Sequence, residues 1–323
     1  MAVDKSRTWL QRVGDIREIN VLAFVIVAGL IIYALNPTFL TLFNIQVIMR
    51  QVAVFGILAI AETFIIIALG IDLSVGSIVA FVGVMTALMM GWTGNSILLS
   101  VIGALVVSCV IGLYHGLFVT RLGVAPFIIT LGSLSLFRGA AFVLTRGYPV
   151  LIRDEGFRWL GQGLIGPLPV PFVILLIVAV VTGFILRFTS LGRYVYAIGG
   201  NPEAARMSGV PVTLVTTYVY VQGTFLAGIV GLLIASRMSE GLASVATGYE
   251  LTAIAAAIIG GVSLLGGIGT VPGVLLGAVL MGMIDNALIT LRVNAYWYNL
   301  VIGAVIIVAV TIDMLRNRGQ KGT

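Results

Sequence analysis

Ten apolar runs, separated by short polar or glycine-rich breaks, leave this chain little choice of fold. They cover Asn20–Leu35, Ile45–Leu69, Val75–Trp92, Ile97–Thr120, Val124–Leu144, Leu168–Leu186, Val212–Ala235, Leu251–Leu265, Val271–Leu291 and Trp297–Met314. A helix needs roughly 20 apolar residues to cross a bilayer, and these runs are of that order. They are continuous and rich in Gly, Ala, Leu and Ile, without the strand-period alternation of an outer-membrane barrel. Only 9% of the residues are charged, against about 25% in a typical soluble domain. The expected fold is all-α, a polytopic transmembrane bundle of about ten helices.

Orientation follows from where lysine and arginine fall. With the amino terminus inside, inner segments hold Lys5, Arg7, Arg12, Arg17, Arg121, Arg187, Arg193, Arg206, Arg316, Arg318 and Lys321. Outer segments hold Arg146, Arg153, Arg158, Arg237 and Arg292, while Arg50 and Arg138 lie within runs. The excess of inner basic residues places both termini in the cytoplasm. The first run follows a charged segment and lacks a small-residue cleavage pattern, so it reads as a retained helix. The expected organisation is a single domain over 1–323. A cytoplasmic segment 1–19 precedes a first half 20–145, an external loop 146–167, a second half 168–314 and a tail 315–323. Lone Cys109 lies inside an apolar run and cannot form an internal disulfide. No basic stripe with interleaved aromatics supports nucleic-acid binding.

Two acids interrupt apolar sequence in matching contexts. Gly70-Ile71-Asp72-Leu73-Ser74 and Gly248-Tyr249-Glu250-Leu251-Thr252 share the pattern Gly, apolar or aromatic, acid, Leu, hydroxyl, and each opens a new run. A weaker match pairs Tyr114-His115-Gly116-Leu117 with Asp285-Asn286-Ala287-Leu288. Five spans separate the members of each pair, so the halves are expected to form an inverted five-plus-five repeat, as in transport proteins with alternating access. Helix capping is the first account of Asp72 and Glu250, and a direct part in gating or substrate passage is the alternative.

Between the sixth and seventh runs, Asn201-Pro202-Glu203-Ala204-Ala205-Arg206-Met207-Ser208-Gly209 has every signal of a short solvated helix. Asn201 can cap it, Pro202 suits its first position, Glu203 suits the dipole, and Gly209 can end it. Intramembrane Glu62, Arg50, Gln51 and Arg138 must face protein or water, either as internal ion pairs or as the lining of a polar path. His115 fits a helix-packing hydrogen bond. The expected path or gate residues are Glu62, Asp72, Ser74, His115, Gln222, Tyr249, Glu250 and Asn286. No phosphate-binding loop, His-Glu-x-x-His pair or nucleophile elbow occurs, so the chain is expected to be neither an ATPase nor another enzyme.

Three segments together resemble the membrane subunit of a ribose-type importer of the ATP-binding-cassette (ABC) class, from about Pro37 to Asp313. They are Gly70–Ser77; Leu191-Gly192-Arg193-Tyr194 running through Ala197–Asn201 to Glu203-Ala204-Ala205; and Gly248–Leu251 leading to Ala253–Ala256 and Gly260-Gly261. The spacing Glu-Ala-Ala-x-x-x-Gly resembles the loop by which such permeases engage their ATPase. The resemblance implies that Asn201, Pro202, Glu203, Ala204, Ala205, Arg206 and Gly209 couple to a cytoplasmic ABC ATPase, which binds ATP and magnesium; no cofactor is expected in this chain. It also implies a second permease copy or paralogue and a periplasmic or lipid-anchored sugar-binding protein, in a bacterial inner membrane. The Ile-x-Leu-Pro continuation of the longer importer signature is missing after Gly209, and Ile268 stands where many relatives carry a basic residue. The expected function is passage of a monosaccharide. Branched-chain amino acids, nucleosides and a signalling sugar are alternative cargoes, and an ion-coupled secondary transporter is the rival class.

Overall fold

A computed structural model describes residues 17–294 and 296–320. Residues 1–16 of the expected cytoplasmic segment 1–19, and residues 321–323 of the expected tail, lie outside the described residues. Among the described residues thirteen α-helices follow in order: α1 Arg17–Leu35, α2 Leu42–Ile67, α3 Val75–Trp92, α4 Ile97–Arg121, α5 Pro126–Thr145, α6 Glu155–Gln162 and α7 Val170–Phe188. Then come α8 Ser190–Gly200, α9 Pro202–Met207, α10 Val212–Met238, α11 Tyr249–Ile259, α12 Val271–Thr290 and α13 Tyr296–Gln320. Among the described residues, eight helices are long and apolar enough to cross a membrane: α1 to α5, α7, α10 and α12. The chain is a polytopic helical bundle and a multi-pass membrane protein.

Local chemistry sets several starts. Side chains of Thr41, Asp154, Thr189 and Thr270 accept hydrogen bonds from main-chain amides in the first turns of α2, α6, α8 and α12, relieving donors that a helix start leaves free. Pro126 and Pro202 occupy first-turn positions of α5 and α9, where the missing N–H costs nothing.

Helices α2 and α10 form the core, with α2 buried without interruption from Val52 to Ile67. Small residues let neighbours approach α10 closely. A Cβ on Gly112 would meet Val221 and Tyr220 of α10, and one on Gly228 would meet Ser108, so α4 and α10 run antiparallel. Gly231 packs on Val79 and Gly83, which lies beside Ala235, so α3 runs parallel to α10. Helix α1 is largely exposed, presenting Phe24, Leu30 and Ile31 outward, as a lipid-facing helix must.

One expectation needs correction. The run Leu251–Leu265 is not a span: α11 has 11 residues, about 16 Å of helix, or half a bilayer core. Gly260 ends it, because backbone of Gly273 and Val274 packs where its side chain would be, and the remaining apolar residues form a loop. Helix α13 continues through Gln320, so the described part of the expected tail, residues 315–320, is a helical extension. The loop 146–167 carries helix α6 and strand pieces. β1 (Val150–Leu151) pairs antiparallel with β4 (Glu240–Gly241), and β2 (Leu164–Ile165) with β3 (Leu168–Pro169). The first pair ties this loop to the segment after α10.

Candidate translocation and coupling site

The two acidic turns meet inside the bundle. The segment between α10 and α11 folds inward, burying Ala243 and Ala246. Arg138 of α5 holds it there, donating to the carbonyls of Ala243 (2.8 Å) and Val245 (2.6 Å). Ala246 and Gly248 both take positive φ, 57° and 84°, which reverses the chain so that α11 starts deep in the protein. On the other side, Gly76 at the start of α3 lies so close that any side chain there would collide with the Glu250 carboxylate and the Ala246 carbonyl.

Asp72 is fully buried and serves its own turn first. Its Oδ1 accepts from the Ser74 amide (2.7 Å) and the Ser74 hydroxyl (2.5 Å). Its Oδ2 has no hydrogen-bond partner and stands 3.7 Å from His115 Nδ1. The other ring nitrogen of His115 shares a 2.8 Å hydrogen bond with the Ser133 hydroxyl. A polar chain Ser74, Asp72, His115, Ser133 therefore ties the α2–α3 turn to α4 and α5. Glu250 acts in parallel: Oε1 accepts from the Gly248 amide at 3.2 Å, and Oε2 has no partner.

Glu62 of α2 is fully buried with no side-chain partner for either oxygen, its carboxylate facing the Asp72 main chain and within electrostatic reach of Asp72 and Glu250. Tyr220 of α10 brings its hydroxyl, which has no side-chain partner, to the main chain of Ile71 beside Asp72 and Glu62. Gly70 makes room, since a Cβ there would lie 2.7 Å from that hydroxyl. Buried polar atoms are ordinarily satisfied, so this concentration of polar groups without side-chain partners makes the cluster the candidate site.

Not every expected path residue belongs to this cluster. Asn286 exchanges hydrogen bonds with Asn44 (2.9 Å each way), joining α12 to α2. Gln222 is buried and unpartnered, but two residues along α10 from Tyr220 it points to the opposite side. Tyr249 packs edge-on against Phe55, ring centres 5.2 Å apart. Among the described residues neither Arg50 nor Arg138 forms a salt bridge: Arg50 donates to the Gln162 carbonyl, and Arg138, within electrostatic reach of Glu250, to the two carbonyls above. Tyr220 and Ser133 were not anticipated. Tyr220 could have been noticed, because hydroxyls inside apolar runs need partners.

Below the cluster, the protein connects it to α9. A cavity of about 210 Å³ runs from Gly70 and Tyr220 to Pro202 and Arg206. Ile67, Gly199 and Gly267 converge beside it: the Gly267 amide donates to Ile67 O at 3.0 Å, and a Cβ on Gly199 would clash with both chains. Tyr196 of α8 donates to the Gly269 carbonyl at 2.6 Å, and burial pushes its hydroxyl pKa above the ordinary value.

Helix α9 has the expected caps. Asn201 Oδ1 accepts from the Glu203 and Ala204 amides, both at 3.0 Å, and Gly209 takes φ 83° just past the end. Ala205, expected on the outer contact face, is 5% exposed and packs inward. Met207 is 87% exposed, and Pro202, Glu203, Ala204 and Arg206 are exposed with it.

Residues 44–310 match the family described as the permease component of branched-chain amino acid transport systems. The chain belongs to this family. The permease is 38% identical over 287 residues to the ribose import permease protein RbsC of Haemophilus influenzae, covering 88% of each chain. It is 37% identical over 286 residues to the L-arabinose ABC transporter permease protein AraH of Azospirillum brasilense, covering 88% of this chain and 84% of that one. Similarity to the D-allose transport system permease protein AlsC of Escherichia coli is 37% over 284 residues, 87% of each chain. No solved structure matches it.

Proposed function

We propose that this permease is the membrane subunit of an ABC importer that passes a monosaccharide inward across a bacterial inner membrane. The observation that carries the reading is α9: a capped, solvent-exposed helix of 6 residues set between long helices, too short to be stable without docking. Its exposed Met207 and Ala204 suit an apolar groove on an ATPase, with Glu203 and Arg206 at the rim, while Ala205 anchors the helix to its own subunit. Relatives named for ribose, arabinose and allose favour a sugar over the amino acids in the family's description.

Cargo passes near the buried cluster of Glu62, Asp72, His115, Tyr220 and Glu250. Its unpartnered acceptors and hydroxyl suit sugar hydroxyl groups, and the cluster is too sparse for the dense cage of a tight site. Affinity then resides in a separate sugar-binding protein, and ATP and magnesium bind to the ATPase. The convergence of Ile67, Gly199 and Gly267 offers a direct mechanical link, because displacement of α9 shifts the turn that carries Asp72. The matching turns support an inverted repeat, with α11 as the half-helix counterpart of the start of α3.

Reconstituted vesicles test the reading. Sugar uptake is expected only when the permease, the binding protein, the ATPase and ATP are all present. Efficient uptake by the permease alone under a proton or sodium gradient would overturn it in favour of a secondary transporter.

A further inference from the structure

We propose that the groove between the α9-side ends of α4 and α10 holds one anionic phospholipid, its phosphate bridged by Arg121 and Arg206 and an acyl chain laid along α4. The groove has a volume of about 550 Å³ and is lined by Leu117, Arg121, Arg206, Thr213, Leu214 and Thr217. Both arginines are exposed. Among the described residues neither is ion-paired. They come from different elements, Arg121 from the last turn of α4 and Arg206 from the last turn of α9, so an anion between them would join those elements.

Position and shape identify the anion's carrier. Arg121 ends a 25-residue apolar helix and Val212 begins one of 27 residues, which puts the groove at the level where hydrocarbon gives way to headgroups. Leading up to Arg121, the residues Ile102, Val106, Val110, Leu113 and Leu117 recur at spacings of three and four and are all exposed. That spacing is one continuous face of a helix. A straight apolar stripe ending in a guanidinium, with a second guanidinium across the groove, matches the chain and phosphate of a lipid; free phosphate would use the arginines and leave the stripe unused. Basic pockets between helices at the membrane boundary recognise anionic headgroups, and arginine's fork suits phosphate oxygens. Resting on the reading of α9 as the ATPase-docking helix, the lipid would tie that helix to the bilayer and make coupling depend on leaflet composition.

Lipid binding to the purified, delipidated permease tests this without transport or ATPase, so its failure is separate from failure of the proposed function. Native mass spectrometry and thermal unfolding would be followed on adding phosphatidylglycerol, phosphatidylcholine or inorganic phosphate. Phosphatidylglycerol is expected to be retained and to raise the melting temperature, with little effect from the other two. Each arginine near a charged surface contributes about fivefold to affinity, so the double change Arg121→Gln and Arg206→Gln is expected to weaken retention about 25-fold. Replacing both by lysine should keep most of it, and Arg153→Gln, on an exposed loop residue, should change nothing. Equal retention of phosphatidylglycerol and phosphatidylcholine by the unaltered protein would overturn the proposal even if the variants fail to fold. So would a shift with inorganic phosphate matching that with lipid, or efficient disulfide formation between Leu117→Cys copies in membranes, which would put a second permease on the stripe.

Discussion

Arg138 is the residue whose role changes most between sequence and structure. An arginine within an apolar run suggests a partner acid or a polar path, yet its guanidinium donates to two carbonyls of the inward fold before α11. Each hydrogen bond to a charged group contributes about 1.5–3 kcal/mol, and losing both leaves two carbonyls without partners in the protein interior. Arg138→Met is therefore expected to lower stability by about 3 kcal/mol or more, read as a drop in melting temperature of the purified permease. An unchanged melting temperature would mean that water already serves those carbonyls. Asn201 is the opposite case: its side chain acts only on amides two and three residues on, so its role was legible from sequence alone.

Among elements, α11 and α12 show how glycine decides packing. Gly273 and Gly277, one turn apart on α12, form a small face that packs within the subunit. A Cβ on Gly277 would overlap the Ala256 carbonyl, and one on Gly273 the Gly260 carbonyl. Gly277→Leu is expected to destabilise by about 3 kcal/mol, the upper end for overpacking, because the obstacle is backbone and cannot change rotamer. Gly132 of α5 has open space around its Cβ position, so Gly132→Ala should be neutral or stabilising by up to about 1 kcal/mol. Thermal unfolding of the two variants side by side checks the contrast; similar losses in both would argue against backbone contact as the cause. The short length of α11 was hidden because residues 260–265 remain mostly apolar, and hydropathy cannot separate a buried loop from a span.

At the scale of the whole molecule, the acidic turns at Asp72 and Glu250 are brought together although 178 positions separate them in the numbering. Inverted topology predicts that the loop before α11 opens on one face and the α2–α3 turn that carries Asp72 on the other. In a Cys109→Ala background, an impermeant thiol reagent should label exposed Thr247→Cys only from outside and half-buried Ile71→Cys only from inside. Labelling of both from one face would refute the inversion. The sequence by itself determined the bundle, most span boundaries and the capped helix α9, because hydropathy and capping act within a few residues along the chain. Only the tertiary structure decided that α11 is half a span, that Arg138 serves carbonyls, and that Asn286 pairs with Asn44 while Tyr220 joins the acids. Those outcomes depend on which side chains meet across helices, and no local pattern encodes the partner of a buried polar atom.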